Sequence, residues 1–369
     1  MTRRFIAAFA TALAGASAAI YGTPALADST RNSQWHLSYL KVSDAQRIST
    51  GRGVTVAVID SGVSAHPDLS GTVLNGADLF KENGDGHTDL TGHGTSMAGL
   101  IAAHGKGGDG ALGIAPDAKI LPIRILRKGL TPLDFGPAIR FATSHGAKVI
   151  NISMAGGIDP DDLAAIKQAA EADVVVVAAA GNKSESAGIS APAFLDTVVA
   201  VGAVDRKGNK ADFSVSGSAL DLMAPGEDIT STNNKGGYDV GEGTSHAAAI
   251  ASGAAALIRS KYPDMSATEV VERLEATAVD KGAPGVDDDY GHGVIDIVAA
   301  LSGAGSGAIG GTAPPPTTPP ARSATPAASP QSEAASSNTP LIVGGTAIVV
   351  LLGSLLAFLL SRRRSGSAP

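Results

Sequence analysis

The sequence predicts an α/β fold built around a central, mostly parallel β-sheet. Between about residues 53 and 301, short apolar runs rich in β-branched residues occur between longer, Ala-rich stretches with helical character. The apolar runs lack the polar–apolar alternation of a half-exposed strand, so they are expected to be buried on both faces, as strands of parallel sheets are. No linker-like stretch interrupts this region, which predicts one domain. Ligands of such sheets bind beyond the carboxyl ends of the strands.

The strands and helices of this domain can be assigned in chain order. Strands are predicted at residues 54–59, 119–125, 149–153, 174–179 and 198–204. Helices are predicted at residues 93–103, 132–144, 160–170, 245–262 and 266–277. The last helix carries a start signal, because Ser266 and Glu269 have the spacing of a capping box.

The amino-terminal residues 1–27 have the three parts of an export signal. Arg3 and Arg4 form a basic start, an apolar run follows, and the segment ends in Ala25-Leu26-Ala27. This order predicts secretion and cleavage after Ala27, with a retained membrane anchor as the alternative. Residues 28–50 then form an N-terminal extension ahead of a domain spanning residues 51–301.

The carboxyl-terminal segment predicts a tethered membrane anchor. Residues 341–360 carry no charge, and as a helix they would span about 30 Å, the thickness of a bilayer core. Three arginines at 362–364 mark the cytoplasmic side, so residues 361–369 form a cytoplasmic tail and the domain lies outside the cytoplasm. Residues 302–340, rich in Pro, Ala and Ser, predict a disordered linker. A buried helix of a soluble fold is the alternative for residues 341–360.

Composition excludes several functional classes. The 369 residues contain no Cys, which excludes disulfides, thiolate metal ligands and a cysteine nucleophile. The formal net charge is −7, whereas a nucleic-acid partner requires clustered Lys and Arg. We therefore expect no nucleic-acid partner.

Three polar residues stand at the ends of predicted strands and helices. Asp60 closes the first apolar strand, His93 opens a helix between two glycines, and Ser245 begins the long Ala-rich helix. Each alone has a structural explanation, since Asp favours turns and Ser favours helix N-caps. A helix start also offers free backbone N–H groups to a developing negative charge. The three together, in the order Asp, His, Ser, predict nucleophilic catalysis.

The three segments resemble the catalytic blocks of the subtilisin family of serine proteases, and the resemblance covers about residues 51–301. The segment Ala178-Ala179-Ala180-Gly181-Asn182 resembles the family's oxyanion-hole block, and Ile150 to Gly157 resembles its substrate-lining strand. The resemblance implies a subtilisin-like three-layer fold and an Asp60–His93–Ser245 triad that hydrolyses peptide bonds through an acyl-enzyme.

The resemblance also assigns roles around the triad. It implies that the Asn182 side chain and the backbone N–H of Ser245 form the oxyanion hole. It further implies a substrate-binding segment, made up of Ser153, Met154, Ala155 and Gly156.

The short extension, the tether and the single span together resemble the mycosins, the membrane-anchored subtilases of type VII secretion systems. This likeness implies a membrane-bound, extracytoplasmic endopeptidase that acts on polypeptides exported by such a system, with the extension wrapped around the domain and Trp35 as its apolar anchor. The alternative is a non-catalytic scaffold that stabilises a secretion complex.

Other candidate sites have weaker signals. Asp85-x-His87-x-Asp89 has metal-ligand residue types, but a polar Gly-rich loop explains it better. His246 beside the predicted nucleophile is expected on the helix surface, with contact to a leaving group as the alternative. We expect no metal or cofactor at the active site and leave calcium binding open.

Overall fold

The computed structural model describes residues 30–105, 108–127 and 134–303. The predicted export signal, the membrane span at 341–360, the tail at 361–369 and all but the first two residues of the predicted linker lie outside these ranges. Among the helices that are described, none combines the length and apolarity needed to cross a bilayer.

Seven strands within the described ranges form one sheet in which every neighbouring pair is parallel. The strand order is β2-β3-β1-β4-β5-β6-β7. The strands are β1 Thr55–Asp60, β2 Ala77–Asp78, β3 Lys119–Arg124, β4 Val149–Ile152, β5 Val175–Ala179, β6 Val199–Val204 and β7 Leu222–Pro225. Two further strands, β8 Ile229–Thr232 and β9 Tyr238–Gly241, form an antiparallel hairpin.

Helices cover both faces of the sheet and produce three layers. Helices α5 and α6 pack on one face, and α4, α7 and α8 pack on the other. The helices are α1 Thr30–Ser33, α2 Trp35–Tyr39, α3 Val42–Ile48, α4 His93–Ala102, α5 Phe135–Ser144, α6 Pro160–Glu171, α7 Thr244–Lys261, α8 Ala267–Ala276 and α9 Ile297–Ser302. A 3₁₀ turn spans Pro67–Leu69. The predicted α/β fold with a central parallel sheet is confirmed.

The five predicted strands and five predicted helices are all present, most with ends displaced by a single residue. The helix predicted from residue 132 begins at Phe135, because Asp134 has a non-helical backbone (ψ of 141°) and is its N-cap. Ser266 caps α8 as expected, since its side chain accepts a hydrogen bond from the Glu269 N–H. The elements that the sequence did not predict are short: β2, β7, the β8–β9 hairpin, α9 and the helices of the extension.

Helix α7 runs through the interior of the domain. Every residue from His246 to Arg259 is buried, and most of them are Ala, Gly or Ser. Small side chains allow the helix to approach its neighbours closely; a Cβ added to Gly253 would lie 2.7 Å from Cβ of Ile114. The predicted nucleophile Ser245 is the second residue of this helix, so the tight packing of the helix fixes the position of Ser245.

The described part of the N-terminal extension folds onto the domain as three short helices. Trp35 is 9 % exposed, and its indole N–H donates to the backbone carbonyls of Glu227 and Asp228. Gln34 makes hydrogen bonds with backbone groups of Leu112 and Thr230. The prediction that Trp35 serves as an apolar anchor for the extension agrees with this packing.

Candidate active site

Asp60 and His93 form the most strongly connected pair among the predicted site residues. Asp60 ends β1 and is fully buried, and His93 is the first residue of α4. His93 Nδ1 lies 2.9 Å from both carboxylate oxygens of Asp60. A carboxylate can only accept a hydrogen bond, so Nδ1 carries the proton and Nε2 is left as an acceptor. The pair therefore holds the imidazole in the tautomer that a general base requires.

The surroundings of His93 alter its basicity. Burial alone would lower the pKa of His93, because an imidazolium ion is less stable away from water. The charge and hydrogen bond of Asp60 act in the opposite direction, with help from Asp89 and Glu185, and the pKa of His93 lies above its ordinary value of 6.5. The imidazolium that forms when His93 accepts a proton is therefore stabilised.

Asp89 is buried and organises the start of α4. Its two oxygens accept hydrogen bonds from the N–H groups of Thr91, Gly92 and Thr95 and from the hydroxyls of Ser61, Thr91 and Thr95. A carboxylate with all its acceptor positions occupied has none left for a metal ion. The preferred explanation of Asp85-x-His87-x-Asp89 as loop structure agrees with this arrangement. Within the described ranges, no group of three or more His, Asp or Glu could hold a metal ion.

Ser245 lies in the first turn of α7 and lines the same cleft as His93. Among the hydrogen bonds of the described residues, none joins the His93 ring to the Ser245 hydroxyl. Catalytic hydrogen bonds are often long without substrate and tighten in the complex. Gly243, with a φ of +142°, precedes the helix; a Cβ there would lie 3.4 Å from Ser245 Oγ and 3.7 Å from Asn182 Nδ2. The absence of this side chain keeps the space between the hydroxyl and the amide open.

Asn182 lies beside Ser245, and Thr244 fixes the orientation of its amide. The backbone N–H of Thr244 donates to Asn182 Oδ1 at 3.1 Å, and the Thr244 hydroxyl lies 3.3 Å from the same oxygen. Because the N–H group can only donate, the oxygen of Asn182 must face it. The Nδ2 donor is consequently directed away from Thr244, where it is available to an oxygen in the cleft. Thr244 is a positioning residue that sequence reasoning missed, although it directly precedes Ser245.

The cleft has a volume of about 450 Å³ and opens at the carboxyl ends of the parallel strands. It is lined by His93, Ser245, Asn182 and three of the four residues predicted to bind substrate, Ser153, Met154 and Ala155. Gly156 is not part of this lining; a Cβ there would lie 2.8 Å from the Phe135 ring. The remaining lining residues are Thr91, Leu126, Ala179, Gly181, Glu185 and Thr244.

Ser153 holds the backbone of the predicted nucleophile in place. It is 2 % exposed, and its hydroxyl donates to the backbone carbonyl of Ser245 at 3.0 Å. The Asn151 amide donates to the Ser153 hydroxyl, and the Ser252 hydroxyl donates to the Asn151 carbonyl oxygen. All three side chains are buried. The network therefore connects the carboxyl end of β4 to α7 at two points, Ser245 and Ser252, which lie about two helical turns apart. Ser153 therefore supports the position of Ser245 in addition to lining the cleft.

His246 is buried, and the expectation that it lies on the helix surface is wrong. Its side chain packs against β9, where a Cβ on Gly241 would lie 2.7 Å from His246 Nε2. His246 Nδ1 is buried with no hydrogen-bond partner among the described residues, and so are both ring nitrogens of His36 in α2. Burial lowers the pKa of each imidazole to about 3. Both histidines are therefore neutral in the folded protein at ordinary pH.

Comparisons with known proteins agree with this geometry. A family profile described as "Subtilase family" matches residues 51–293. Subtilisin DY of Bacillus licheniformis is 41 % identical over 260 residues, which cover 68 % of this chain and 91 % of that protein. Mycosin-1 of Mycobacterium tuberculosis is 34 % identical over 327 residues and 73 % of each chain.

Solved structures give the same result. The crystal structure of MycP1 from Mycobacterium smegmatis matches with a TM-score of 0.67 and 32 % identity, over 75 % of this chain and 86 % of that one. The MycP3 protease from the type VII (ESX-3) secretion system matches with a TM-score of 0.66 and 36 % identity, over 75 % and 90 %. The chain therefore belongs to the subtilase family and is a subtilisin-like serine protease related to the mycosins.

Proposed function

We propose that the chain is an extracytoplasmic, membrane-anchored serine endopeptidase that cuts polypeptides with Asp60, His93 and Ser245. The observation that carries the assignment is the buried carboxylate of Asp60, 2.9 Å from His93 Nδ1, at a cleft also lined by Ser245 and Asn182. A buried carboxylate on one ring nitrogen and an open cleft on the other are what a general base for a serine nucleophile requires.

In the proposed reaction, Ser245 Oγ attacks the carbonyl carbon of the scissile bond while its proton passes to His93 Nε2. The tetrahedral intermediate carries a negative oxygen, which accepts hydrogen bonds from Asn182 Nδ2 and the backbone N–H of Ser245. Asp60 stabilises the imidazolium. His93 then gives the proton to the leaving amine, and the C–N bond breaks to leave an acyl-enzyme. Water then attacks the acyl-enzyme with His93 again as the base, which releases the acyl group and restores the Ser245 hydroxyl.

The proposed substrate is a polypeptide that lies extended along Ser153, Met154 and Ala155. The proposal also covers the organisation of the chain. It consists of an export signal at 1–27, an extension at 28–50, the peptidase domain at 51–301, a linker at 302–340 and a membrane span at 341–360. They would keep the active site outside the membrane. One structural relative, the serine protease MycP1, is an essential component of the type VII (ESX-1) secretion system. We propose exported proteins of such a system as the substrates here.

The test is labelling of the full-length, detergent-solubilised protein by a fluorophosphonate probe, which reacts with an activated serine. We expect one labelled serine, complete loss of labelling in Ser245→Ala, and unchanged labelling in the control Ser184→Ala, which alters an exposed serine nearby. A folded protein that is not labelled and cuts no peptide would contradict the proposal and favour the scaffold.

Replacing Asn182 tests the oxyanion hole. Asn182→Leu keeps the size of the side chain but removes the Nδ2 donor, so kcat should fall by about 10²–10³ with little change in KM. Thr244→Val leaves the donor in place but removes the hydroxyl near Asn182 Oδ1, and a loss of about tenfold is expected. Steady-state kinetics on one peptide substrate measures both variants. Equal, small losses in the two variants would exclude a role of Asn182 as an oxyanion donor.

A further inference from the structure

The charge distribution of the cleft is uneven. Of the described residues that line it, only His93 and Glu185 can ionise, and the others are neutral. His93 is already engaged by Asp60. Glu185 is therefore the one carboxylate of the lining, and the described lining contains no Lys or Arg to neutralise it.

The position of Glu185 is fixed by the chain that follows Asn182. The N–H groups of Glu185 and Ser186 both donate to the Asn182 carbonyl, at 2.8 and 3.0 Å. The Ser186 hydroxyl donates to the Gly188 carbonyl, and the Ser190 hydroxyl donates to Ser186. These bonds attach the backbone of Glu185 to the residue that lies beside the nucleophile.

The Glu185 carboxylate has no hydrogen bond or ion pair within the described ranges. The nearby cation Lys183 points elsewhere, because its ammonium group donates to the Asp212 carbonyl at 2.7 Å. An exposed carboxylate held at the wall of a cleft and left without a cation can pair with a cation of the ligand.

The rest of the cleft suits the stem of a long side chain. Ala155, Ala179 and Gly181 are small and leave room, and Met154 and Leu126 add apolar surface. Lys and Arg combine an apolar stem of three or four carbons with a charged tip. A neutral, partly apolar cleft with one carboxylate at its wall complements such a side chain and repels an acidic one.

We infer that Glu185 gives the protease a preference for Lys or Arg at the substrate residue whose carbonyl carbon Ser245 attacks. The inference rests on the proposed function, since it concerns the same cleft. It names the substrate class: polypeptides with a basic residue immediately before the cleaved bond.

The experiment uses the full-length protein and three peptides that differ only at this residue: Lys, its neutral analogue norleucine, and Glu. We expect the order Lys, norleucine, Glu in kcat/KM, with about a two- to fivefold advantage of Lys over norleucine at low salt, as is typical of an exposed ion pair. At a pH above the acid limb of both proteins, where the contribution of Glu185 to the pKa of His93 no longer affects the rate, Glu185→Gln should remove that advantage. The control Glu242→Gln, an acid outside the cleft lining, should retain it. Salt should narrow the preference in the wild type, because it screens exposed charges.

Inactivation rates with diphenyl phosphonates that carry a lysine or norleucine side chain provide a second measurement that needs no turnover. Equal rates for the two side chains, or a lysine preference that survives Glu185→Gln, would overturn the inference while leaving the proposed protease intact. Failure of every peptide and every serine-directed probe would instead overturn the proposed function, and the inference with it.

Discussion

Asp60→Asn is expected to lower kcat by about 10⁴ without unfolding the protein. An Asn side chain can present its amide oxygen or its N–H group to His93 Nδ1; when the N–H group donates, the imidazole proton moves to Nε2. The ring then cannot accept the Ser245 proton. The Ser61 N–H donates to Asp60 Oδ1 at 2.7 Å and can still donate to the amide oxygen of an Asn. This hydrogen bond should therefore keep the local backbone conformation in the variant.

The pH dependence of the same variant provides a second readout. In the wild type the pKa of His93 lies above 6.5, so the acid limb of kcat/KM, where His93 becomes protonated, also lies above 6.5. Removing the Asp60 charge leaves burial as the main influence, so the acid limb should move to lower pH while the maximal rate falls. The control Asp85→Asn removes an exposed carboxylate and should change neither quantity. An unshifted acid limb in Asp60→Asn would show that His93 does not control it.

Acid is expected to destabilise the protein through His36 and His246. Both imidazoles are buried, and burial lowers each pKa to about 3 from the ordinary value of 6.5. The unfolded chain therefore binds protons at these positions between pH 6.5 and 3 while the folded protein does not. Well above pH 6.5 neither state is protonated, so no stability is lost there. At pH 5 each histidine should reduce the unfolding free energy by about 2 kcal/mol relative to pH 8.

Denaturant unfolding at pH 8 and pH 5 measures this effect. Other groups also titrate in this range, so the informative quantity is the difference between variants. His36→Leu and His246→Met should each lose less stability on acidification than the wild type, by about 2 kcal/mol, and the double variant by about twice that. The control His145→Gln alters an exposed histidine and should behave as the wild type. Identical pH dependence in all of these proteins would mean that the buried imidazoles are not neutral in the fold.

The central strands and the long helices could be predicted from sequence because their signal is local. A run such as Val54 to Ile59 is apolar almost throughout, and the pattern depends on nothing distant in the chain. The same holds for Asp60, His93 and Ser245, whose flanking segments define strand and helix ends. In the structure, Asp60 and His93 are in contact. His93, Ser245 and Asn182 line one cleft, as their order along the chain suggested.

The supporting residues could not be predicted, because their partners are remote in sequence. Thr244 acts on Asn182 across 62 positions, and Ser252 reaches Asn151 across 101. The burial of His246 could not be predicted either, because it also depends on elements that are remote in sequence. On an Ala-rich helix an isolated His is expected to face solvent, but α7 is surrounded by the sheet and by α4, so it has almost no solvent face. The short β8–β9 hairpin carries too few residues to produce a periodic signal.

The construction of α7 has a consequence for how heat inactivates the enzyme. A nucleophile carried on a mobile loop can be lost by local fluctuation long before the domain melts. Here the serine belongs to a helix that its neighbours enclose. The alanines and the single glycine of this helix have no side-chain rotamers through which the surroundings could relax. Displacing that hydroxyl would require separating the layers of the molecule, so loss of turnover and global melting should share one transition temperature.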